Sequence, residues 1–128
     1  MLFNLRSAFL LGLVAVSVAS PTPSFDLVAR AKIPDPLECD GHTWTKEQIY
    51  NSIQQARALD GIAHYPKPFL NNGNIFGTKA KLWEFPLADP VWQTGVSPAT
   101  FRVIVNENYG YIGVTNKDVG TGGTVHKC

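Results

Sequence analysis

The fold class turns on the stretch Thr45-Lys46-Glu47-Gln48-Ile49-Tyr50-Asn51-Ser52-Ile53-Gln54-Gln55-Ala56-Arg57-Ala58-Leu59-Asp60-Gly61. Thr45, followed three residues later by Gln48, has the form of a capping box, in which each side chain serves an unsatisfied backbone N–H of the other. Ile49, Ile53, Ala56 and Leu59 then recur at helical spacing until Asp60-Gly61 stops the run. The segment predicts an amphipathic helix of about 14 residues.

Beyond Gly61 the period changes. Ile62 to Lys67, Leu82 to Leu87, Phe101 to Asn106, Tyr111 to Asn116 and Thr124 to Lys127 are short β-rich runs divided by Gly, Pro and Asn. Asn108-Tyr109-Gly110 reads as a hairpin turn between two of them. The expected fold class is therefore α+β, with one long helix packed on a central antiparallel sheet.

Upstream, Met1 to Arg6 carries one positive charge, Ala8 to Val18 is an apolar run, and Ser17-Val18-Ala19 ends it with small residues. This is the pattern of a secretory signal peptide over 1–19, too short for a membrane anchor. Ser20 to Pro36 holds Pro21, Pro23, Pro34 and Pro36 without apolar periodicity, which reads as a flexible leader. The folded domain is expected over 37–128. In an oxidising secretory route Cys39 and Cys128, the only two cysteines, should pair and tie the start of the domain to its end. Two cysteines do not make a four-ligand zinc site, and no metal or cofactor is expected.

Across all 128 residues, 11 Lys and Arg face 10 Asp and Glu, so no global positive field marks a nucleic-acid binder and any such function must rest on a local patch. Alternation marks one candidate surface. Along Leu82-Trp83-Glu84-Phe85-Pro86-Leu87 the residues Trp83, Phe85 and Leu87 point one way and Glu84 the other. The same reading buries Phe101, Val103 and Val105 while turning Arg102 outward, and buries Ile112 and Val114 with Lys117 on the far side. Tyr65 and Lys67, two residues apart, share a face. Four strands thus each offer polar groups to one sheet surface, either a shallow site or the solvated face that antiparallel sheets commonly have.

The order of these groups resembles the microbial guanyl-specific ribonucleases, small secreted fungal enzymes. The resemblance runs from Cys39 to Cys128 through Tyr65-Pro66, Glu84 among large residues, Ser97-Pro98, Arg102, Gly113-Val114 and the final Cys. It implies a concave sheet face that binds RNA. It implies further that Glu84 is a general base, that Arg102 supplies a stabilising charge, and that Tyr65 donates a hydrogen bond to the phosphate. The family has two histidines where this chain has Lys67 and Lys117, and the second of them is the general acid. An unperturbed Lys, with a pKa near 10.4, is a poor acid at neutral pH. In the run Pro68 to Asn74, Phe69, Asn71 and Asn72 are the residues expected to meet a base, but the family's acidic residue is missing. His42, His64 and His126 fall elsewhere, and Gly120-Thr121-Gly122-Gly123 lacks the context of a phosphate loop and reads as a site rim.

The expectation is a secreted ribonuclease-like fungal effector, a pseudoenzyme that has lost both catalytic histidines. Acting as a monomer with no membrane attachment after signal cleavage, it would bind single-stranded or ribosomal RNA or a host protein, and act as a virulence factor inside host cells. The alternative is a weak endoribonuclease with Glu84 as base and Lys117 as poor acid.

Overall fold

Helix α1 spans Lys46–Leu59 in the computed structural model, which describes residues 30–118 and 124–128. The signal peptide, the leader as far as residue 29 and the rim at 120–123 lie outside the described residues. Both halves of the capping box are formed: Gln48 N donates to Thr45 Oγ1 over 3.1 Å and Thr45 N donates to Gln48 Oε1 over 2.9 Å. The expected inward stripe is buried at Ile49, Ile53 and Ala56, with Leu59 partly buried. Full burial of an Ile is worth about 1.5–3 kcal/mol.

A five-stranded antiparallel sheet follows, with strands β3 (Lys67–Phe69), β4 (Leu82–Pro86), β5 (Arg102–Val105), β6 (Tyr111–Lys117) and β7 (Val125–Lys127) in that spatial order. Helix α1 crosses β4 and β5. Their inward residues Phe85, Val103 and Val105 join Leu87, Val114 and the helix stripe in one core. The α+β architecture is as expected.

Three details differ from the sequence reading. The first expected strand, Ile62 to Lys67, is turn and coil as far as Pro66, and pairing starts only at Lys67, opposite Glu84. A further two-stranded hairpin, β1 (Leu37–Cys39) with β2 (His42–Trp44), precedes the helix. Its turn is Asp40-Gly41, both at positive φ, as a tight hairpin requires. Ile112 is only half-buried. Ile104 pairs with Gly113 but Val105 pairs with Tyr111, so β6 carries a bulge that skips Ile112 and puts the Tyr111 ring against the core.

Lys32–Cys128 forms one compact unit, so packing begins ahead of Leu37. Ile33, 3% exposed, is a core residue, and Asp35 Oδ1 accepts from Lys46 N over 3.2 Å. The Cys39–Cys128 disulfide is formed, at a sequence separation of 89. Among the described residues no helix is long and apolar enough to cross a membrane.

Candidate functional site

The outward face of the sheet is only partly polar. Leu82 and Ile104 are buried there, apart from the main core, because the loop after β3 folds back and lays Phe76 across β6. A Cβ on Gly113 would stand 2.4 Å from Phe76 Cε1. Gly113 is therefore the position that lets an aromatic ring lie on this face.

Beside this apolar floor the strands converge on a cavity of about 740 Å³. Lys67, Phe69, Asn71, Asn72, Glu84, Arg102 and Lys117 all line it, so seven of the eight site residues expected from the sequence are brought together. The register explains why: Lys67 pairs with Glu84, Arg102 pairs with Thr115, and Lys117 lies two residues further along β6 on the same side. Tyr65 is the eighth, and it stands behind the lining. Its buried hydroxyl accepts from Arg102 Nη2 over 3.3 Å, while Lys67 Nζ and the Arg102 guanidinium lie 5.2 and 5.3 Å from its ring centre. Tyr65 thus holds two cations in place from below.

Arg102 is anchored from several sides. Nη1 donates to Ala99 O over 2.6 Å and to Phe101 O over 3.0 Å. Nε is 3.5 Å from Glu84 Oε1, an ion pair without hydrogen-bond geometry, so that N–H is buried and unsatisfied. Burial raises the pKa of the Glu84 carboxyl, while the charges of Lys67 and Arg102 pull it back down.

The recognition loop is more structural than the sequence suggested. Asn71, in a left-handed conformation, spends its amide on the loop: Nδ2 donates to Thr78 O and Asn74 Oδ1, and Oδ1 accepts from Phe76 N. Phe69 meets Phe76 edge-on with ring centres 5.9 Å apart while still lining the cavity.

No histidine lines this cavity among the described residues. His42 packs on Trp44 and Phe101, and His64 lies edge-on against Tyr65. His126 is on the opposite side of the sheet, where Nε2 meets Asp40 Oδ2 at 2.7 Å and Nδ1 meets Asp118 Oδ1. A cation on the cavity side of the sheet escaped the sequence reading. Lys127 pairs with Thr115, which puts it on the Arg102 side of the sheet, and its Nζ lies 5.8 Å from the Phe76 ring centre. Period-2 alternation through the last strand carries that signal once the register is known.

The His126 cluster makes stability pH-dependent. Hydrogen bonds donated by the imidazole to Asp118 first and then to Asp40 raise its pKa, and the Asn116 hydrogen bond does most to lower that of Asp40. A group whose folded pKa is raised contributes fully below its unfolded value, about 6.5 for His, and loses that contribution as pH climbs through the folded value. Asp40 acts in the opposite direction, losing its contribution as pH falls below about 4. The melting temperature should therefore decline as pH rises from 6 to 9. His126→Gln should remove that decline, and an equal decline in both proteins would show that the cluster contributes nothing.

No family model matches the chain, and no curated protein matches it. Among solved structures, it is similar to a ribonuclease from Hericium erinaceus (RNase He1), with a TM-score of 0.54 and 23% identity over 73% of this chain and 97% of that one. The chain shares the fold of that ribonuclease.

Proposed function

We propose that this chain is a secreted, ribonuclease-like effector that holds single-stranded RNA by its phosphates on the face of β4, β5 and β6 and does not cut it. One observation carries the reading. Lys67, Arg102 and Lys117 line a single cavity against one carboxylate, Glu84, and no histidine lines it among the described residues. Three cations against one anion make a local charge near +2 on a chain whose formal net charge is only +1. Such a patch suits a polyanion, and phosphate contacts carry no base information. The half-buried Glu84 paired with Arg102 keeps the form of a general base, which supports the second reading, a weak endoribonuclease.

With three phosphates neutralised, log K for single-stranded RNA should fall with log salt at a slope of about −2, from about −0.7 per contact. Replacing Lys67, Arg102 or Lys117 by Gln should flatten the slope by about 0.7 each. Glu84→Gln should tighten binding, because it removes a negative charge facing the phosphates. A salt titration by fluorescence anisotropy checks this. Equal weak binding by the native protein and a triple Gln variant would exclude RNA as ligand and leave a host protein.

A further inference from the structure

The cavity has a neighbour. A second groove of about 650 Å³ is bordered by Lys79, Lys81, Leu82 and Trp83, and the two hollows share the ridge Pro68 to Asn71. We infer that the RNA site continues over this ridge into the second groove, so that its ligand is a single strand long enough to engage Lys79 and Lys81 as well as the first cavity. This rests on the RNA reading proposed above and extends it to ligand length.

Charge, surface chemistry and shape support the extension. Among the described residues, five cations, Lys67, Lys79, Lys81, Arg102 and Lys117, line the two hollows, and Glu84 is the only carboxylate there. The remaining acidic side chains of the described residues, among them Glu38, Asp60 and Asp89, lie outside both. The surface between the basic clusters is apolar. Phe69 belongs to both hollows, Leu70 at the crest is 78% exposed, and Trp83 lines the second. Single-strand sites combine a basic track with aromatic surfaces on which bases stack regardless of sequence.

The wall between the hollows is preformed. Asn71 Nδ2 donates to Thr78 O over 3.1 Å, and Thr78 N donates to Asn74 Oδ1 over 3.0 Å. Asn71, Gly73, Asn74 and Gly77 all take positive φ, so the loop is a compact turn fastened to itself. A ligand crossing it has little chain left to order.

The test uses the folded full-length chain with 5′-labelled oligouridylates of four and eight residues, followed by anisotropy at low salt. The octamer should bind at least about tenfold tighter than the tetramer, whose three internucleotide phosphates fill the first cavity, because only the octamer reaches two further contacts at Lys79 and Lys81. Lys79→Gln/Lys81→Gln should lose that gain, leave tetramer affinity unchanged, and flatten the octamer salt slope by about 1.4. Lys32→Gln/Lys46→Gln removes the same net charge away from both hollows and should behave as the native protein. Matching melting temperatures exclude misfolding. If octamer binding is unchanged in Lys79→Gln/Lys81→Gln, or falls equally in the control pair, the extension is wrong while the first cavity remains an RNA site. If neither oligomer binds the native protein, the RNA reading fails and the extension fails with it.

Discussion

Single-stranded RNA should survive incubation with this protein, with turnover at least about 10²-fold below that of an active ribonuclease of the same fold assayed in parallel. The size of the deficit follows from the missing proton donor. General acid–base catalysis contributes about 10²–10⁴-fold, and the donor must hold a proton that it can release near working pH. Among the described residues, the only cations lining the first cavity are Lys67, Arg102 and Lys117. The guanidinium does not release a proton in this range, and a lysine binds one too strongly to protonate a departing oxygen efficiently. In free-energy terms the loss is about 3–5 kcal/mol of transition-state stabilisation. On the reading proposed above, Glu84 beside Arg102 would still serve the base side of such a reaction, and the deficit would lie on the acid side. Gel-based cleavage of a labelled oligonucleotide checks this, and turnover equal to the reference enzyme that disappears in Glu84→Gln would refute the pseudoenzyme reading. Introducing His at 67 and 117 together should then raise cleavage above that of the native chain, because both positions line the cavity that holds Glu84.

The second large effect concerns stability. Replacing both Cys39 and Cys128 by Ser should destabilise the domain by about 4–5 kcal/mol, the loop-closure entropy of a bridge spanning 89 residues. Small domains have about 5–15 kcal/mol in total, so about a third or more of the margin would go. At about 4–8 °C per kcal/mol for a domain of this size, the melting temperature should drop by about 15–40 °C. The bridge also fastens β1 to the residue after β7, where Cys128 N donates to Val114 O over 2.8 Å. Its loss should therefore loosen the edge of the sheet beside Lys117 before the helix. Thermal melts followed by circular dichroism measure the total effect, and a drop of only a few degrees would mean that the unfolded chain is restrained by something other than the bridge.

The candidate site was legible to the extent that it depends on alternation. Glu84, Arg102 and Lys117 stand on strands whose large apolar residues face the helix, so the period alone turns the charged residues to the other side. Alternation says nothing about what else occupies that side. It treated the outward face as polar, whereas Ile104 is fully buried there beside the Phe76 loop. It also assigned Ile112 to the core, and a single bulged residue gave that place to Tyr111. Asp40-Gly41 had the residue types of a tight hairpin turn, but strands of three residues on either side are too short to show a period.

What the amino-acid sequence determined by itself is local or countable. The capping box of α1, its four-residue stripe and its stop at Asp60-Gly61 depend on residues within one or two helical turns, and two cysteines in one domain leave a single pairing. The tertiary structure decided what depends on segments far apart in the chain. It set the register that brings Lys127 to the Arg102 side of the sheet, placed Phe76 on Gly113, and set the Tyr65 ring beneath two cations. It also joined two hollows across the Pro68–Asn71 ridge. Contacts of this kind form only when the loops between distant strands close. Their energies then come from packing between side chains that no local pattern relates, so the chain had to be folded before they could be read.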